Sequence, residues 1–599
     1  MSIPSSDEDE IGVAALEEEM TSIDEPVSGG ISPCAVYRQG PGMGRVTTPM
    51  GDLSFTNLFG SDTAMMRELG RCSASEFREG AYSFFRQFNA DVVESMVPRP
   101  VARLGNWALE NWLFERLKKA IPAPYLKMLR AYAEGSGYEV QRVVAGQLTW
   151  DIWALLAQAS LDSVQRAAAR ARRHSPLLGS TSVILPGESC GPLHLRWLDN
   201  AAIDRWERKT SVAFFHPNRG IPYVFVSSVG FSTGLPAGMN AAGLSVSVEP
   251  ADGGDIDWSG APMAYACHEI LRQAHTIEEA AAILGQRSPL TAWRYVICEG
   301  DTGRADVYVA GQSVEPWEGE KTPPFVVGCA DGSPPGRSLA RVERWLQSRR
   351  DCLDAVINQW SSKADDAVFK ALQAMTQSTP DHAVAPGLPL SGLGNVGAVL
   401  FEPANRRLWV ATGRAPVGMR WFVPLTFRAE DGRSGGGLDR RVRPIKPAGE
   451  WENTKPGRAM EHLRHAMELE RDGENQERTL ISLEHSLALD PKCPSFHILA
   501  GLMALRVGRG RRAQGAFEQA LALLEDPIRR AEVGVYRAWA LDIQRRRREA
   551  RKAYRKLAKD ASIERTVRRW ARRGYRRRFR RRDTRKFYID FFLAAAVEC

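Results

Sequence analysis

A chain of 599 residues, with 44% hydrophobic and 25% charged residues, has room for about three or four domain-sized units and the make-up of a folded, water-exposed protein rather than a fibrous or membrane one. The net charge of +9 is unevenly placed: Arg545 to Lys586 hold 22 Lys/Arg against 4 Asp/Glu, a local +18 that leaves −9 for everything else. No apolar run reaches the roughly 18 to 20 residues of a bilayer span, and Met1 to Met20 is acidic where a signal peptide is basic then apolar, so a cytoplasmic protein is expected.

The first 35 residues, with Asp7 to Glu10 and Glu17 to Glu19, read as a disordered acidic leader. From residue 60 to 179 the apolar spacing turns helical, as in Trp107, Trp112, Leu113 and Leu117, then Tyr125, Leu126, Leu129 and Tyr132. After Pro176 the period becomes that of strands: 181–185, 193–198, 211–215, 223–229 and 243–248. One helix is expected over 261–284, then strands at 294–299, 305–310, 396–401 and 406–411. Hairpin-length connections favour an α+β layered fold over a doubly wound parallel sheet. We therefore expect one domain over 36–427, with a helical part at 60–179 and a strand-rich part at 180–427.

Residues 428–456, rich in Gly and Pro, read as a linker with few contacts across it. Beyond it, small and aromatic residues repeat. Gly501, Gly508, Ala513, Phe517 and Ala520 return 37 residues later as Ala538, Arg545, Ala550, Tyr554 and Leu557, and Ser486 lies 34 residues before Ala520. The pattern over 457–560 resembles a tetratricopeptide repeat, which implies a surface for a protein partner. The Arg-rich stretch 561–599 is expected to be helical and to offer polyanion binding, its last apolar residues docking against the preceding helices.

Nine cysteines without a CxxC pair suit reduced thiols. The histidines form no metal-binding motif, and neither metal nor cofactor is expected. Gly187 to Gly191 fits the Gly-x-Ser-x-Gly nucleophile elbow, with Ser189 at its centre and Cys190 beside it. A strand rather than a helix follows, so an ordinary hairpin turn is the better expectation.

Four segments in the right order resemble the penicillin acyltransferase family of N-terminal-nucleophile (Ntn) enzymes, and more distantly choloylglycine hydrolases and acid-ceramidase-type amidases. They are Pro122 to Gly137, Gly179-Ser-Thr-Ser182, Leu193 to Asp199, and the Gly238 to Leu244 turn. The resemblance implies a four-layer αββα sandwich that hydrolyses an amide C–N bond or transfers an acyl group, with a small-molecule amide or acyl thioester as substrate. In such an enzyme one residue supplies both nucleophile and base, its side chain attacking while its own freed α-amine takes the proton. The resemblance places autocleavage between Gly179 and Ser180, Ser180 as nucleophile, and Arg196 and Asp199 as its assistants, 16 and 19 residues further on. Residues three apart on a strand face opposite sides, so Asp199 is expected at a strand end.

The chain departs from the family pattern. Serine stands where most members have cysteine, and Ser247 or Glu249 stands where an oxyanion-binding asparagine is expected. The Thr-Asn-His stretch is missing near Gly328 to Asp331. Asn240 and Asp331 complete the oxyanion and substrate candidates. A second class of function therefore stays open: a catalytically silent Ntn scaffold whose repeats bind partners.

Overall fold

The computed structural model describes residues 35–40, 43–48, 51–83, 85–86, 99–152, 179–199, 210–226, 230–251, 257–311, 313–318, 323–328, 340–361, 366–376, 390–428, 434–471, 473, 475–591 and 594–598. Three strands, β1 (Ala35–Gly40), β2 (Met43–Thr48) and β3 (Gly51–Gly60), lead into helices α1 (Asp62–Glu79), α2 (Arg99–Ala120), α3 (Ala123–Ser136) and α4 (Val140–Gln147). A hairpin of β4 (Gly179–Leu185) and β5 (Leu193–Asp199) precedes β6 (Thr210–Pro217), β7 (Tyr223–Val226), β8 (Ala237–Asn240) and β9 (Leu244–Pro250). Helices α5 (Met263–Gln273) and α6 (Ile277–Gly285) follow, then β10 (Trp293–Glu299), β11 (Ala305–Ala310), β12 (Val314–Pro316) and β13 (Phe325–Gly328). After α7 (Ala340–Gln359) and α8 (Ala367–Ala374) come β14 (Asn395–Glu402), β15 (Arg407–Ala411), β16 (Phe422–Arg428) and β17 (Ser434–Leu438).

The strands form two sheets, ordered β1-β2-β3-β6-β7-β8-β9-β10-β11-β12 and β13-β4-β5-β14-β15-β16-β17. Every pairing in them is antiparallel except β3 with β6. That parallel pair needs a crossover, which α1 to α4 and the β4–β5 hairpin supply. The expected single helix over 261–284 is two helices, because Ala274 is extended and the Thr276 hydroxyl accepts from the Glu279 amide to cap α6. The three N-terminal strands and β8 add to the strands expected from the sequence.

Contacts set the layering. On the second sheet, Val183, Leu185, Leu195 and Trp197 point away from the first sheet and pack against Leu353 and Val356 of α7 and Leu372 of α8. Ile184, on the opposite phase of the same strand, meets Val296, Cys298 and Val307 of the first sheet. The far side of the first sheet is covered by α1, α5 and α6. The fold is thus mixed α/β, two stacked sheets with helices on their outer faces.

A C-terminal helical region completes it: α9 (Lys455–Arg471), α10 (Gln476–Leu489), α11 (Pro494–Val507), α12 (Gly510–Leu523), α13 (Pro527–Ile543), α14 (Arg547–Lys559) and α15 (Arg565–Arg576), with a closing hairpin of β18 (Phe587–Asp590) and β19 (Ala595–Glu598). Gly501 is needed where α11 meets α12, since a Cβ there would come within 2.5 Å of the Phe517 ring. The end of the chain, expected to be helical, docks as a hairpin on α11 and α13, where Arg529 donates to the Ala594 carbonyl at 3.0 Å. The stretch expected to be a linker contributes β17 to the second sheet, and Ile445 bridges to Phe422. Among the described residues no helix is long and apolar enough to cross a membrane.

Candidate active site

Between the stacked sheets lies a row of buried polar side chains. Strand alternation builds it: Ser180 and Ser182 of β4, His194 and Arg196 of β5, and Ser245, Ser247 and Glu249 of β9 all face the gap. Each is at most 6% exposed. β4 pairs with β5, setting Ser182 beside Arg196, while β9 crosses over both from the first sheet.

Glu249 is the hub. Its carboxylate accepts from Ser180 Oγ and from Arg196 Nη1, and from Ser182 Oγ at 2.7 Å. Arg196 is held further by donating to the Val248 carbonyl at 2.8 Å and the Leu235 carbonyl at 3.3 Å. An unpaired buried carboxylate or guanidinium is costly, so the pair and its hydrogen bonds stand or fall together.

The protons in the rest of the row follow from counting. A serine hydroxyl has one proton, and Ser182 gives its own to Glu249. Ser182 Oγ therefore accepts from Ser247 Oγ, 2.7 Å away, and Ser247 Oγ accepts from His194 Nε2 at 2.8 Å. His194 Nδ1 then accepts from Ser245 Oγ at 2.9 Å. Burial, reinforced by the Arg196 charge, pushes the imidazole down to about 3, so His194 is neutral with its proton on Nε2.

Asp199 ends β5, as its three-residue offset from Arg196 required, and pairs across the sheet with Gly179, the residue before Ser180. Asn395 of β14 continues that row, pairing with Asp199, and its side-chain oxygen accepts from the Gly418 amide at 2.7 Å. Ser180, Arg196 and Glu249 thus meet, Ser247 joins them through Ser182, and Asp199 pairs with the residue before Ser180.

The remaining candidates fall elsewhere. The Asn240 amide donates to the Leu271 and Ala274 carbonyls at 3.1 and 2.7 Å, and its oxygen accepts from the Leu244 amide. It fastens the β8–β9 turn to the end of α5, on the helical side of the first sheet. Asp331 lies outside the described residues. Ser189 is exposed in the β4–β5 turn, where Gly191 has a φ of 70° and no helix follows. Burial pushes the Cys190 thiol up, away from the thiolate a nucleophile needs.

His194, Ser182 and Ser245 belong to the row, yet none was among the candidates. The available signal was the alternation of β9, where Ser245, Ser247 and Glu249 interleave with Leu244, Val246 and Val248.

No protein-family model and no curated protein matches the chain. Among solved structures it is similar to a Caenorhabditis elegans N-acylethanolamine-hydrolyzing acid amidase (NAAA) ortholog, with 13% identity and a TM-score of 0.27, over 37% of this chain and 93% of that one.

Proposed function

We propose that the chain is an amide C–N hydrolase or acyltransferase of the Ntn type, cut before Ser180. The observation that carries it is the Ser180 hydroxyl donating to a carboxylate locked in place by Arg196. Before cleavage no free α-amine exists, and Glu249 is positioned to take the Oγ proton as Ser180 attacks the Gly179 carbonyl. The proton passes to the Ser180 nitrogen as the C–N bond breaks, leaving an ester between Gly179 and Ser180 Oγ. The α-amine is free from that point, and water hydrolyses the ester to release the Ser180 hydroxyl and the Gly179 carboxylate. In turnover the amine takes over as base, with Asp199 beside it, and the acyl group passes from Ser180 to water or to a second amine. The domain over 36–427 is then a four-layer Ntn sandwich, and the small residue of α11 facing Phe517 supports repeats of tetratricopeptide type after it.

A second function, a silent scaffold, is favoured by one feature. Glu249 is also held by Ser182, and the chain of hydrogen bonds beyond it runs through Ser247 and His194 to Ser245, a pattern that a purely structural core also satisfies.

The mature N-terminus decides between them. Mass spectrometry of the purified protein is expected to show a fragment beginning at Ser180, absent from Ser180→Ala. An intact wild-type chain whose Ser180 reacts with no acylating probe sinks the enzyme and leaves the scaffold.

A further inference from the structure

Among the described residues cations are densest on α14, α15 and the residues just after them. Helix α14 buries Ala550 and Tyr554, and α15 buries Val567, Trp570, Ala571 and Gly574. Their opposite faces carry the cations: Arg548, Lys552 and Arg555 at helical spacing on α14, then Arg572, Arg576 and Arg580 on and just beyond α15, all exposed. The two helices pack against each other through their buried faces, Tyr554 against Gly574, so both basic faces turn outward.

Local acids leave this charge uncompensated. Glu549 is taken by Arg546 at 2.5 Å and Asp583 by Arg577 at 3.0 Å. Asp560 receives the Ser562 amide and hydroxyl at 3.0 and 2.5 Å. Among the described residues none of the six cations named above is in an ion pair. Holding so many like charges together costs stability, and a polyanion that binds there removes the repulsion.

The side chains around the patch narrow the partner. Single-stranded nucleic acid is gripped by bases stacked on free aromatic rings. Here Phe579 is stacked on Trp539 at 4.7 Å, Trp570 packs against Trp539 at 5.8 Å, and Arg551 covers the Tyr575 ring at 4.7 Å, so the rings are already engaged. A membrane-surface helix needs large apolar side chains to sink into the interface. The exposed large hydrophobics among the described residues are Phe59, Leu104, Trp107, Trp112 and Leu523, none of them on these two helices. Arginine in excess over lysine, with its planar fork, matches phosphate oxygens better than it matches diffuse negative charge.

We propose that this surface binds the phosphate backbone of double-stranded nucleic acid without reading its sequence. Binding is read by fluorescence anisotropy of the full-length chain with a labelled DNA duplex of about 30 base pairs, in salt from about 50 to 200 mM. The expected affinity falls steeply with salt, by about 100-fold or more over that range, and is the same for duplexes of unrelated sequence. Two variants each remove half of the patch: R548Q/K552Q/R555Q and R572Q/R576Q/R580Q. Each is expected to cut the slope of log K against log salt by up to about 3 and the affinity at low salt by about 10-fold. Replacing the same arginines by Lys keeps the slope, which controls for folding damage. Unchanged affinity in both glutamine variants overturns the proposal. So does tighter binding to phosphatidylserine vesicles than to duplex, which assigns the patch to membranes, or equal competition by polyglutamate at matched charge, which assigns it to acidic proteins.

Discussion

Glu249 touches Ser180, Ser182 and Arg196 from a fully buried position, and the consequences of removing it can be separated from any catalytic loss. Glu249→Gln leaves the Arg196 charge buried without a counter-charge, which costs about 3 to 5 kcal/mol. Urea unfolding of the variant is expected to show that loss. The double change Arg196→Met with Glu249→Leu removes both charges and is expected to recover most of it, in the way replaced buried pairs do. If the row serves only the core, the double variant behaves as wild type in every assay. If Glu249 drives cleavage, the double variant folds and stays uncut. A second buried acid sits elsewhere. Asp151 accepts from the Met263 amide at 3.0 Å and the Trp293 indole at 3.3 Å, and burial pushes it up to about 7 despite these bonds. Its folded pKa is above its unfolded one, so the native state holds the proton more tightly. That stability is complete below about pH 4 and is lost as pH rises through about 7, on the order of 4 kcal/mol in all. Asp151→Asn keeps the acceptor and has no proton to lose. Its melting temperature is expected to fall less than that of wild type between pH 5 and pH 8, at about the same acid-side value; parallel pH curves for the two proteins argue against a neutral Asp151. Of these residues only part was legible from sequence. The spacing from Ser180 to Arg196 and Asp199 was visible, and Glu249 entered as a stand-in for a missing asparagine. His194 was not, because alternation assigns a polar strand residue to solvent, whereas both faces of β5 are buried.

At the scale of elements, β4, β5, β10 and β14 were legible because their apolar residues run in short bursts between turn residues. β8 was not: Gly238 looks like part of a turn, yet it is a strand residue whose missing Cβ lets the Val224 carbonyl approach, since a Cβ would lie 2.5 Å from that oxygen. β16 and β17 were hidden by Pro424 and by the three glycines of Ser434–Leu438, residues that propensity counts against strands. In the C-terminal region the lost glycine of the repeat left a mark. Gly508 ends α11 at a φ of 85°, and Arg545, 37 residues on, holds the same left-handed turn at a φ of 67°. A side chain there costs about 1 to 2 kcal/mol, offset in part by the greater unfolded freedom of glycine. Arg545→Gly is expected to stabilise the helical region by up to about 1 kcal/mol in urea unfolding. A loss of stability means the Arg545 side chain makes contacts that outweigh the strain.

At the scale of the whole molecule, the boundary near residue 454 is bridged. Arg420 is fully buried in the strand-rich part and donates from Nη2 to Glu461 of α9 at 2.6 Å, while its Nε donates to the Arg414 carbonyl. Glu461 also holds Arg464 at 2.9 Å, so one carboxylate serves a cation on each side of the boundary. With β17 and Ile445 tying the intervening stretch to β16, the helical region supplies a counter-charge that the sheets do not provide for themselves. A fragment ending at residue 453 leaves Arg420 without its carboxylate and uncovers the surface that α9 shields. That fragment is expected to unfold at clearly lower urea than the same strands do in the full chain. Glu461→Gln, which keeps an acceptor and removes the charge, is expected to cost the full chain about 2 kcal/mol. Should the fragment keep the full-chain midpoint while Glu461→Gln changes stability by less than about 0.5 kcal/mol, the two parts are independent, and the Arg420–Glu461 contact is a surface pair in all but its burial.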